Sequence, residues 1–86
     1  METVNQVFEP VEVIAHFSKL KLQIIRFKWN GSVYRVSEML QSWKIPAREG
    51  FVTHYVVTCL DKDLLCELSF NNTDLKWELV RYDSLG

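Results

Sequence analysis

The stretch Ile25 to Val36 reads IRFKWNGSVYRV, and its reading decides the fold. Asn30-Gly31 sits between two alternating apolar runs. A two-residue type I′ turn needs positive φ at both central positions, which Asn and Gly tolerate best, so the stretch is a β-hairpin turning there. The turn sets the register: Trp29 opposite Ser32, Phe27 opposite Tyr34, Ile25 opposite Val36. Side chains alternate faces along a strand, so these residues share one face, aromatic and β-branched, suited to a core. The same register puts Arg26 directly across from Arg35, with Lys28 diagonal to it. Like charges in that position repel.

Upstream, Leu20, Leu22 and Ile24 are apolar at even positions, whereas Ile25, Phe27 and Trp29 are apolar at odd ones. One extra residue near Ile24-Ile25, a β-bulge, resets the facing and bends the strand. Before it, Val11, Val13, Ala15 and Phe17 alternate with Glu12, Ile14 and His16 as a first strand, preceded by Pro10 where a missing N–H costs least. Ser18-Lys19 reads as a turn. Residues 1–8 and 84–86 read as frayed ends of a single domain spanning 1–86.

Downstream, Ser37 to Ile45 supports two readings. Met39, Leu40 and Trp43 have the spacing of one short helical turn near 38–43, and Glu38 to Gln41 favour helix. The segment also continues directly from a strand without a cap, which suits a curled or bulged strand. Pro46 to Gly50 is a loop. Phe51–Leu60, Leu64–Phe70 and Leu75–Tyr82 are strands on their β-branched and aromatic content. A loop at Leu60–Asp63 pairs Cys59 with Leu64, Val57 with Cys66 and Tyr55 with Leu68. A loop at Asn71–Asp74 pairs Phe70 with Leu75, Leu68 with Trp77 and Cys66 with Leu79, and sets Glu67 opposite Glu78 on the outer face. The sum is an all-β domain, a small antiparallel barrel or roll of five to six strands, because a flat sheet would leave its apolar face wet.

Eighty-six residues suffice for one small core, burying about 60–65% of the unfolded chain's surface. No apolar run approaches the roughly 18 residues of a membrane span, and the first ten residues lack a signal-like apolar core, so the expected location is the cytoplasm. Two cysteines, Cys59 and Cys66, make no disulfide framework and read as reduced core thiols. Six residues apart, with His54 facing away from them, they lack zinc-ligand spacing, so neither metal nor cofactor is expected. Asn30-Gly31-Ser32 and Asn71-Asn72-Thr73 read as turns rather than glycosylation sites. No nucleophile elbow, phosphate loop or metalloprotease motif occurs, and the expectation is a binding or accessory module rather than an enzyme.

The charge is unevenly placed. The whole chain carries −1. Between positions 13 and 48, seven basic residues (Lys19, Lys21, Arg26, Lys28, Arg35, Lys44, Arg48) stand against Glu38 alone, a net +6; the remainder has three basic residues against ten acidic, a net −7. Small barrels bind single strands through a basic sheet face with aromatic platforms. Arg26, Lys28, Arg35, Lys21, Lys44 and Arg48 are the candidate contacts to nucleic acid. Two other readings stay open. Glu67 and Glu78 could neutralise the basic face in a mixed ion network, or the domain could bind a protein through an open sheet edge. Oligomeric state is not legible, although the charge polarity would suit head-to-tail association.

The pattern Phe27-x-Trp29-x-Gly31-x-x-Tyr34-x-Val36, then Trp43, Tyr55-x-Val57, Glu67-Leu68 and Trp77-x-Leu79, resembles a family of small, uncharacterised bacterial all-β domains. Some stand alone and others lie at the C-terminal end of proteins related to error-prone DNA polymerases. The resemblance covers roughly positions 10–83. It implies an all-β fold and a setting near nucleic acid or a DNA-repair protein, and it carries no catalytic residue across.

Overall fold

A computed structural model describes residues 5–86. Eight strands occur in chain order: β1 (Asn5–Pro10), β2 (Glu12–Ser18), β3 (Lys21–Trp29), β4 (Ser32–Arg35), β5 (Glu38–Pro46), β6 (Phe51–Cys59), β7 (Leu64–Asn71) and β8 (Lys76–Ser84). A 3₁₀ turn at Leu60–Lys62 joins β6 to β7. All pairings are antiparallel, in a five-stranded sheet β1-β8-β7-β6-β5 and a three-stranded sheet β2-β3-β4.

Two corners explain how eight strands make a small roll. Only Val11 separates β1 from β2, and its N–H donates to the Trp77 carbonyl at 3.2 Å. Only Val36-Ser37 separates β4 from β5; Val36 N–H donates to Ile25 O and Ser37 N–H to Thr58 O. Each pair is one bent pass of chain that changes sheet. Six passes therefore run up and down, the first returning against the last through β1 and β8. Between the corners the inner faces meet. Ile24 and Phe27 of β3 pack against Val57, Cys59, Cys66, Leu68 and Leu79, all 2% exposed or less.

The central hairpin has the expected register: Trp29↔Ser32, Phe27↔Tyr34 and Arg26↔Arg35. Asn30 and Gly31 have φ of 53° and 83°, as their turn requires. The Phe27 and Tyr34 rings stack at 5.1 Å. The expected bulge is also present. Ile14 pairs with Arg26 and Ala15 with Ile24, leaving Ile25 as the extra residue. That corrects one detail, since Ile25 is 38% exposed and Ile24 takes the core position.

Of the two readings of 38–43, the bulged strand is the observed one. β5 shifts register between Met39 and Gln41, with Leu40 as the extra residue, and no α-helix is present among the described residues. The β6–β7 register is as read from the sequence. The β7–β8 register is not: Phe70 pairs with Trp77, Leu68 with Leu79 and Cys66 with Tyr82. The cause lies in the turn. Asn71 Oδ1 accepts from the N–H groups of Thr73 and Asp74, and Asn71 O accepts from Leu75 N–H. Asn71 therefore closes a turn that extends to an exposed Leu75. The slip of two residues keeps the same faces inward. A further bulge beyond Leu79 then moves Glu67 opposite Arg81, not Glu78.

The chain ends differ as well. Residues 5–8, expected to be frayed, belong to β1, which pairs with β8; residues 1–4 lie outside the described part. Ser84 still pairs with Leu64, and Leu85 N–H reaches Asp63 O. Among the described residues no helix is long and apolar enough to cross a membrane.

Candidate nucleic-acid interface

The outer face of the three-stranded sheet is set by the register of β2, β3 and β4. Arg26 lies in a row between Ile14 and Arg35, and Lys28 in the next row between Glu12 and Val33. Gln23 beside His16 and Lys21 beside Ser18 continue the surface toward the β2–β3 turn. Alternation explains the placement: Phe27 is pulled into the core, so Arg26 and Lys28 on either side of it must point out. All three cations are exposed.

The six predicted contacts do not form one cluster. Arg26, Lys28 and Arg35 share the outer face, with Lys21 at the same sheet's end. Lys44 belongs to the other sheet, in the row Lys44, Thr53, Phe70, Trp77 that faces inward. Its ammonium lies 5.9 Å from the centre of the Phe51 ring. Arg48 sits in the bend between β5 and β6, closed by Ala47 N–H donating to Gly50 O. The Thr73 hydroxyl donates to Glu49 O and ties that bend to the β7–β8 turn.

Glu67 does not neutralise the basic face. Its Oε1 accepts from Arg81 Nε at 2.8 Å, and its Oε2 lies 2.8 Å from His54 Nδ1. The contact with Arg81 is a salt bridge and that with His54 a hydrogen bond; both are on the five-stranded sheet, and no other acid–base contact lies within salt-bridge distance among the described residues. Glu67 is itself 8% exposed. Trp43 stacks on His54 at 5.3 Å with an interplanar angle of 5°, completing a chain Trp43–His54–Glu67–Arg81. Its Glu67–Arg81 link escaped sequence reading because it depends on the bulge beyond Leu79, and its Trp43–His54 link because it depends on the β5–β6 register. A carboxylate that orients a histidine is one part of a nucleophilic site. Among the described residues His54 bonds no hydroxyl or thiol.

Cys59 and Cys66 are buried free thiols on the inner face. Their mutual hydrogen bond, with burial adding to it, pushes the Cys66 thiol up and holds it protonated. No group of three or more metal-ligating side chains occurs among the described residues.

A second feature lies between the sheets. Past the corner at Ser37, β5 leaves β3, and the first residues of β3 keep β2 as their only partner. The sheets diverge from the contact of Ile24 N–H with Met39 Sδ, at 3.3 Å. A cleft of about 1300 Å³ opens there. Val13, Phe17 and Leu22 line one wall and Tyr55, Phe70 and Trp77 the other; Lys21, Lys44 and Glu38 are its charged residues. Trp77 lies 4.7 Å from Phe70 and 5.7 Å from Tyr55, centre to centre. Burial raises the Tyr55 phenol, which stays neutral. The aromatic residues were visible in the sequence as core, but their exposure to a cleft depends on the non-local divergence of β3 and β5. Comparison with protein-family models, curated proteins and solved structures finds no match for this chain.

Proposed function

We propose that the domain is a binding module for single-stranded nucleic acid, with Arg26, Lys28 and Arg35 as phosphate contacts. One observation carries this reading. Two arginines stand directly opposed on an exposed sheet face, and no carboxylate among the described residues lies within salt-bridge distance of either. Directly opposed like charges cost a folded sheet about 0.2–1 kcal/mol. A polyanion laid along the face would convert that repulsion into attraction and release counterions from its own backbone. Lys21 extends the track, with Lys44 and Arg48 as further cations at the other sheet.

The test is a titration of single-stranded DNA at low and at high salt, on wild type and on Arg26→Ala/Arg35→Ala. Binding that weakens with salt and is largely lost in the double variant is the expected result. Salt-independent binding, or full affinity in the variant, would count against the reading. The variant itself should fold with unchanged or slightly higher stability, because a repulsion has been removed.

A second reading rests on a different feature. The edges of β5 and of the first part of β3 are unpaired, and such edges accept an extended peptide as an added strand. A partner held in that way would survive high salt. The resemblance to domains attached to polymerase relatives makes a DNA-repair protein the first partner class to try.

A further inference from the structure

We infer that the cleft between the two sheets receives the bases of the single strand whose phosphates follow the basic face, an assignment that rests on the reading above.

The outer face has cations but no phenylalanine, tyrosine or tryptophan side chain among its β2–β4 rows. Single-strand binding without sequence preference ordinarily combines a basic track with rings on which bases stack. The cleft supplies the missing half. Phe70, Trp77 and Tyr55 form a contiguous aromatic wall, and Phe17 stands on the opposite side. Phe17 is 65% exposed, so its ring is free to meet a ligand.

Size and charge both favour this occupant. At about 1300 Å³ the cleft exceeds the roughly 300–1,000 Å³ that usually holds one small molecule, and it suits a segment of polymer. Its charged residues are two lysines against one glutamate. Lys21 stands on β3 and Lys44 on β5, one on each sheet that bounds the opening. A phosphate flanking an inserted base would meet the Lys44 ammonium, and Lys21 at the rim leads from the cleft to the outer face. The path is continuous as well: β3 carries Arg26 and Lys28 outward and, five residues before Arg26, contributes Lys21 to the cleft. An extended peptide would use the unpaired edges but draws no advantage from the two lysines unless it is acidic.

The experiment compares two probes, a thymidine oligomer of about eight nucleotides and an abasic deoxyribose-phosphate oligomer of equal length. Affinity is measured by anisotropy, and the tryptophan indole N–H resonances are followed by NMR. The thymidine oligomer should bind about tenfold more tightly than the abasic one and shift the Trp77 indole but not that of Trp29, which packs away from the cleft against Tyr34 and Tyr82. Phe17→Ala, at an exposed position, should erase most of that tenfold difference and leave abasic binding unchanged. Lys44→Gln should weaken both probes.

Equal affinity for the two oligomers with a silent Trp77 would overturn the cleft assignment and leave the basic-face reading standing. Failure of both oligomers to bind would overturn both. A shift of Trp77 produced by an extended apolar peptide and not by the thymidine oligomer would assign the cleft to protein and likewise overturn the inference.

Discussion

The two sheets are built from the same alternating pattern and hold their residues very differently. On the five-stranded sheet, Val56 to Cys59, Cys66 to Ser69 and Leu79-Val80 are buried in unbroken rows. On the three-stranded sheet only Ile24 and Phe27 are buried, and of β2 only Val13 is partly buried. The turns differ in the same sense. Asn30-Gly31, at the anchored end of β3, adopts positive φ with residues made for it. Lys19-Leu20, at the free end, has φ of 51° and 63°, and Leu20 is 93% exposed. Left-handed backbone at such residues costs about 1–2 kcal/mol each. One sheet therefore specifies the shape, while the other ends in an arm that overhangs a cleft and carries the uncompensated charge.

The largest effect should separate core from arm. Leu68→Ala, at a fully buried position facing Ile24 and Phe27, should destabilise by about 2–5 kcal/mol in urea unfolding. Phe17→Ala on the arm should change stability by about 0.5 kcal/mol or less. A comparable loss from both would mean that the arm is as firmly packed as the sheet it overhangs.

Next in size is the ion pair on the five-stranded sheet. Glu67→Gln removes the charge shared by Arg81 and His54. Arg81 is 46% exposed and can turn to water, so the loss should be about 1 kcal/mol rather than that of a sealed pair. A chemical-denaturation midpoint unchanged from wild type would show the pair to be ornamental.

The arm's turn offers an effect of opposite sign. Replacing Lys19-Leu20 by Asn-Gly should raise stability by about 1 kcal/mol, because the new pair tolerates the φ values already present. A drop in the unfolding midpoint would place the turn's strain elsewhere.

Much of this was legible from residues alone, for physical reasons. Asn30-Gly31 admits one cheap turn, and that turn agrees with the apolar pattern on both sides, so the register and the Arg26–Arg35 opposition follow. The phase change at Ile24-Ile25 revealed its bulge because both flanks are strongly patterned. At 71–74 the polar run Asn-Asn-Thr-Asp reads as the loop itself, whereas the Asn71 side chain draws Thr73 and Asp74 into a turn that extends to Leu75, a choice made only in three dimensions. The bulge beyond Leu79 shows the same kind of phase change, from Trp77 and Leu79 to Val80 and Tyr82, but only the short run to Tyr82 follows it and the pattern there is weak; with it went the pairing of Glu67 and Arg81. The cleft could not be read at all. It depends on where β3 and β5 part company, a property of the two corners rather than of any local run.

The measurement closest to the central claim is the slope of log affinity against log salt for a single-stranded oligonucleotide. The contacts at Arg26, Lys28 and Arg35 should contribute about −2 to that slope, and Arg26→Ala/Arg35→Ala should make it shallower by about 1.4. A flat dependence in the wild-type protein, or the same slope in both proteins, would contradict the account.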